Sequence, residues 1–216
     1  PGRLESLIAN RVPQTTLRRT VWEFAPDGST RRVESTPSPA GQPAAAPRTR
    51  TVITFQGDSA VFETTDERGT RARRVPARAG ALPIPWLVFS AYELAARRAA
   101  PAPGASGTAV VLGSDGPETL AVRRPHADSL ALEHPDLGTW RARVDRRGRI
   151  LRLDAGALGQ TVERARWLDI EALAAQYAAR DAAGQGLGPL SPRDTARATV
   201  HGADILIDYG RPARRG

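Results

Sequence analysis

From Leu17 onward the chain alternates apolar and polar positions with a period of two, the mark of strands with one buried face. Thr20, Trp22 and Phe24 fall on one side, and Arg19, Val21 and Glu23 on the other. Pro26-Asp27-Gly28-Ser29 reads as a turn, since proline presets φ and glycine accepts positive φ, and 30–35 is the predicted returning strand. Strand patterns resume at 52–55, 60–65 and 70–75, separated by Gln56-Gly57-Asp58-Ser59 and Asp66-Glu67-Arg68-Gly69. Turns about every ten residues predict a meander, barrel or sandwich. Residues 1–16 show no clear period and are expected to form an N-terminal extension. The stretch 37–48, almost only Pro, Ala, Gly, Ser and Gln, is expected to be a long mobile loop between strands.

The period changes after Pro83 and Pro85. Trp86, Leu87, Phe89-Ser90, Leu94 and Arg97-Arg98 fit one short amphipathic helix near 84–99, its arginines favouring the C-terminal end of the dipole. Its apolar side is expected to face the core. Strands follow at 108–112, 119–123, 129–133 and 139–145. The clearest alternation sets Trp140, Ala142 and Val144 against Arg141, Arg143 and Asp145, as a sheet with one wet face demands. Residues 149–154 and 160–167 can pair again. Asp169 is placed to N-cap a second helix over 170–183, with Gly184 just beyond its end. Residues 184–194, rich in glycine and proline, read as a linker, and 196–200 with 203–209 as the first hairpin of a new β unit. The predicted architecture is mainly β. A curved antiparallel sheet (half-barrel or meander) with two short helices occupies 17–183, and 195–216 begins a second, truncated β domain.

Composition narrows the function classes. The 216 residues carry a formal charge of +8, which raises the question of nucleic acid. All 31 basic residues are arginine, with no lysine, and they are dispersed as pairs beside acids or turns. Arginine, alanine, glycine and proline share GC-rich codons, so genome composition accounts for the excess. Aromatic residues are too few, at 5%, to supply stacking platforms between clustered arginines, so no nucleic-acid partner is expected. Cysteine is absent, which excludes disulfides, thiolate catalysis and cysteine metal sites. No apolar run reaches the roughly 18 residues of a spanning helix. Methionine is absent even at position 1, so a processed chain or an internal piece is expected, any signal peptide having been removed.

The stretch from Ser191-Pro192 through Asp208-Tyr209-Gly210-Arg211-Pro212 to Gly216 resembles the opening of the bacterial domain-of-unknown-function family 2911 (DUF2911). The matching residues are Asp208, Tyr209, Arg211, Pro212 and Gly216, about the last tenth of the chain. Members look like exported β proteins, which implies a periplasmic or secreted location and brings no catalytic residues. Region 17–168 also resembles, in order of elements alone, the half-barrels of periplasmic lipoprotein carriers.

Candidate chemistry is sparse. His126 and His134, with Asp128 or Asp136, could approach a metal, but their spacing is no recognised ligand pattern and their proline-flanked surroundings read as loops. His201-Gly202 sits in a predicted hairpin turn. Gly104-Ala105-Ser106-Gly107 and Gly113-Ser114-Asp115-Gly116 lack the spacing of a nucleophile elbow. Gly184-Gln185-Gly186-Leu187-Gly188 has no strand before it and no Lys-Ser/Thr after it, so it is not a phosphate loop. No catalytic residue, metal or cofactor is expected. Asp208 and Arg211 either contribute to a partner surface or, as surface ion pairs commonly do, pair across a strand end. The leading expectation is a non-enzymatic exported protein holding an apolar ligand or protein partner on a concave sheet. Trp22, Phe24, Phe55, Phe62, Trp86 and Trp140 are the candidate lining, with simple core filling the plainer role for them. The alternatives are an enzyme whose site lies beyond Gly216, and an interaction module that uses a sheet edge.

Overall fold

The computed structural model describes residues 2–11, 14–41, 49–77, 80–84, 88–113, 116–186, 193–200 and 203–210. Strand accounts for 57% of the chain and helix for 15%, so the period-two pattern governs the architecture. Strands β1 (Gly2–Asn10), β2 (Thr16–Phe24), β3 (Thr30–Pro39), β4 (Arg50–Gln56), β5 (Ser59–Asp66) and β6 (Gly69–Pro76) form one sheet in sequence order. After β7 (Leu82–Pro83) and α1 (Phe89–Ala99) come β8 (Ser106–Leu112), β9 (Pro117–Arg123), β10 (Ser129–His134), β11 (Gly138–Val144), β12 (Ile150–Ala155) and β13 (Gln160–Glu163). These seven strands make a second sheet in the order β13-β12-β11-β10-β9-β8-β7, antiparallel except for the β7–β8 pair. The result is the predicted open half-barrel.

Residues 2–10 depart from the sequence reading: they are strand β1, not an extension. Leu4 and Ile8 pack inward while Arg3 and Glu5 pair outside. Leu7, on the wrong face, hid that alternation.

By internal contacts the chain divides into two units. The larger comprises Pro1–Ile8, Arg18–Pro37 and Ala46–Leu168. Within it α1 is buried on two sides. Tyr92 and Ala96 join Leu120, Val122, Leu132, Trp140 and Leu153 of the second sheet. Val88, Ala91 and Ala95 join Trp22, Val33, Ile53 and Ala60 of the first sheet, with Leu82 and Leu112. Fully burying a Val- or Leu-sized side chain contributes about 1.5–3 kcal/mol, and such partners on both sides hold a helix whose N-cap residue, Val88, makes no side-chain cap. Arg97 and Arg98 close its last turn as expected, and Arg98 donates to the Gly28 carbonyl at 2.8 Å. Alanines on both faces permit close approach, and β8 comes closest. A Cβ on Gly107 would lie 2.3 Å from the carbonyl oxygen of Ala99, so only glycine fits there unshifted. Strand β11 keeps the predicted alternation, Trp140, Ala142 and Val144 buried and Arg141 and Arg143 exposed.

Several arginines answer carboxylates on the outer faces, as in Arg123–Glu133, Arg152–Glu163 and the Arg32–Glu34–Arg50 cluster. Arg124 is an exception to surface charge: it is buried and donates to the carbonyls of Pro101 and Ala127 at 3.1 and 3.0 Å.

The smaller unit comprises Ala9–Leu17, Ser38–Ala45 and Asp169–Gly216. Helix α2 (Ile170–Ala182) starts where predicted, the Asp169 carboxylate accepting the Ala172 N–H at 2.9 Å. Gly184 follows its end with φ +71°. Expected in one domain with the strands, α2 instead groups with residues 9–17. Thr15 donates its backbone N–H and its hydroxyl to Asp181, and the Arg11 guanidinium lies 3.9 Å from the centre of the Tyr177 ring. Strands β14 (Arg193–Val200) and β15 (Ala203–Gly210) form a hairpin and, among the described residues, pair with no other strand. One face of it carries Ala196, Ala198, Ile205, Ile207 and Tyr209; the other carries the Arg193–Asp208 ion pair. Thus Asp208 pairs along the hairpin, while its expected alternative partner, Arg211, lies with Pro212 outside the described residues. Residues 42–48 of the expected loop and most of the 184–194 linker also lie outside them.

Candidate functional site

Within the larger unit a cavity of about 690 Å³ is walled by both sheets, a volume typical of small-molecule sites. The register explains its first wall. Thr51, Thr64 and Arg71 form one cross-strand row of the six-stranded sheet, and Ile53, Phe62 and Arg73 form the next. Both rows face the cavity, so each runs from an uncharged centre to an arginine on the edge strand β6. Arg73 sits over the Phe62 ring at 5.2 Å, and Arg71 pairs with Asp66. The opposite wall is apolar along Ile84, Val111 and Leu112 and turns polar at Glu118, His134 and Asp136, with Tyr92 of α1 beside them.

That polar end follows from local structure. Glu118 shares the inward face of β9 with Leu120 and Val122, so a carboxylate stands in an otherwise buried row. His134, at the end of β10, stacks near-parallel on Trp140 (centroids 6.1 Å, 14°) and its side chain is only 10% exposed. The tight turn after it directs the backbone N–H groups of Asp136 and Leu137 onto His134 Nδ1, both at 3.3 Å. An accepting Nδ1 puts the proton of the neutral ring on Nε2, and Nε2 lies 2.9 Å from Glu118 Oε2. The approach is a close contact without hydrogen-bond alignment, for Glu118 Oε2 is buried with no hydrogen-bond partner. The indole N–H of Trp140 is likewise buried and unpartnered. Burial, and secondarily the charge of Glu118, push the Tyr92 hydroxyl up to about 12, so it stays protonated.

One ligand atom each from Glu118, His134 and Asp136 lies within 4.8 Å of the others, a spacing that could surround a cation. The histidine is set against it. A metal on Nε2 would shift the proton to Nδ1, against two backbone N–H groups that already point there. General-base chemistry is disfavoured in the same way, since Nδ1, the nitrogen that would take a proton, already accepts two backbone N–H groups. The arrangement suits holding a polar group at the end of an apolar cleft.

Of the aromatic residues expected to line a concave face, Phe62 does so. Trp22 is wholly buried and donates its indole N–H to the Pro83 carbonyl at 2.9 Å. Phe24 and Trp140 are core residues, and Phe55 packs at the margin of the cluster around Trp22 and Ile53. Trp86 lies outside the described residues, as does His201. His126 is exposed and stands apart from the cluster that contains His134 and Asp136. Sequence reading missed Glu118, although its place in the row with Leu120 and Val122 was the available signal.

The fold and cleft define a half-barrel of two sheets around a helix. No protein-family model matches the chain, nor does any curated protein. Among solved structures, a DUF1089 family protein from Pseudomonas aeruginosa aligns with 76% of this chain and 93% of its own, at 15% identity and a TM-score of 0.36.

Proposed function

We propose that this is a non-catalytic binding protein that takes an apolar ligand into the cleft between its two sheets. The observation that carries the reading is the 690 Å³ cavity, with Ile53, Phe62, Ile84 and Leu112 as its apolar body. Such pockets bind by desolvating the ligand, with a few polar groups fixing its orientation. The engaged Nδ1 of His134 favours binding over chemistry. Export to the periplasm or beyond belongs to the same proposal and rests on the resemblance of 191–216 to family 2911. Fractionation of the producing cells tests the location. Titration with N-phenyl-1-naphthylamine, which fluoresces in apolar sites, tests the binding. We expect saturable binding, displaced by dodecanol and weakened roughly tenfold by Ile84→Trp with the melting temperature retained. Absence of saturable binding by the folded protein would refute the reading.

A further inference from the structure

The two walls of the cleft carry opposite charge. The six-stranded sheet contributes Arg71 and Arg73, two residues apart on one face of β6, and the seven-stranded sheet contributes Glu118 and, from the turn after β10, Asp136. Beside these carboxylates His134 accepts two backbone N–H groups at Nδ1, and its Nε2 lies 2.9 Å from Glu118 Oε2. The end of the cleft therefore has a positive side, a negative side, and an apolar body leading to both. Glu118 Oε2 is buried and makes no aligned hydrogen bond, although His134 Nε2 lies 2.9 Å away, so it keeps capacity to accept from a further donor. An ammonium suits two carboxylates, because a charge-assisted hydrogen bond is about twice as strong as a neutral one. On the other wall, each guanidinium presents five N–H donors in a planar fork. Arg71 therefore has donors beyond those that meet Asp66, and Arg73 is steadied on the Phe62 ring.

We infer that the ligand is a zwitterionic amphiphile: a hydrocarbon chain whose head carries an ammonium, set against Glu118 and Asp136, and an anionic group, set against Arg71 and Arg73. This rests on the cleft being a binding site and goes on to name what fills it. A purely anionic amphiphile meets two carboxylates on one wall, and a purely cationic one meets two guanidinium groups on the other. Only a head with both charges matches both walls.

Four probes with the same twelve-carbon chain separate these possibilities: N-dodecylglycine (zwitterionic at neutral pH), dodecanoate, dodecylamine and dodecanol. Each is titrated below its micelle concentration against protein loaded with N-phenyl-1-naphthylamine. N-dodecylglycine should displace the dye at a concentration roughly tenfold lower than any of the other three. Glu118→Gln should bring N-dodecylglycine close to dodecanoate, and Arg73→Gln should bring it close to dodecylamine. Asp136→Asn, at an exposed turn position, repeats the Glu118 test where folding is least at risk. Circular dichroism melts confirm that each variant is folded. Equal displacement by all four probes overturns the inference and leaves the apolar site standing. So does a preference for a singly charged probe, or a zwitterion preference that survives Glu118→Gln and Asp136→Asn. Failure of every probe to displace the dye refutes the binding site itself.

Discussion

Replacing Gly107 with alanine adds one methyl group where β8 runs against the end of α1. That carbon would sit 2.3 Å from the Ala99 carbonyl oxygen, 3.2 Å from its carbon and 3.5 Å from its Cα. All three are backbone atoms, so no flexible side chain can swing away. Relief requires the helix end and the strand to separate by about an ångström, through a core already filled by Tyr92, Ala96 and Ala100 on one side and Ala91 and Ala95 on the other. Overpacking of this kind costs about 1–3 kcal/mol. For a chain of this size each kcal/mol moves the melting temperature by about 2–4 °C, so Gly107→Ala should melt about 2–12 °C lower. Gly104→Ala is the comparison, since a Cβ there meets nothing within 4 Å and suffers only from its φ of +79°. Thermal unfolding followed by circular dichroism measures both. An unchanged or higher melting temperature for Gly107→Ala would show that β8 and α1 are not in the tight contact described.

Glu34 is held at a pKa of about 2, against an ordinary 4.5, first by its hydrogen bonds from Arg50 and then by Arg32. Its folded-state pKa is depressed, so its contribution is complete above pH 4.5 and fades as pH falls toward 2. Because Arg50 is about half exposed, the effect should be under ~1 kcal/mol, seen as a shallower acid loss of stability in Glu34→Gln; an identical acid profile would remove Glu34 from the account. Ending the chain after Gly188 removes a hairpin whose strands, among the described residues, pair only with each other, and should shift the main melting transition by no more than about 2 °C. A collapse of stability would make β14 and β15 integral to the larger unit. A labelled duplex or single strand should show weak, sequence-indifferent association at low salt that disappears near physiological ionic strength. Submicromolar binding at physiological salt, lost on neutralising one arginine cluster, would instead make nucleic acid the partner.

What the chain determines alone is its set of elements. Wherever one face is buried and the other wet, alternation is visible to a reader of the sequence, which is why β11, with Trp140, Ala142 and Val144 against Arg141 and Arg143, was legible. Turn glycines at 28, 57, 69 and 148 adopt positive φ, and the Asp169 cap and the Gly184 stop of α2 act through their immediate neighbours. Strand β1 escaped because Leu7 breaks the pattern that Leu4 and Ile8 begin. The cleft was not legible. Glu118, His134 and Asp136 meet Arg71 and Arg73 across a cavity only because two sheets, formed from residues far apart in the chain, face each other. Nothing local marks Phe62 as a lining residue and Trp22 as core, since both alternate in the same way. Which aromatic side chain meets another wall and which meets empty space depends on how the two sheets close around α1, a packing outcome that sums many weak contacts between distant segments.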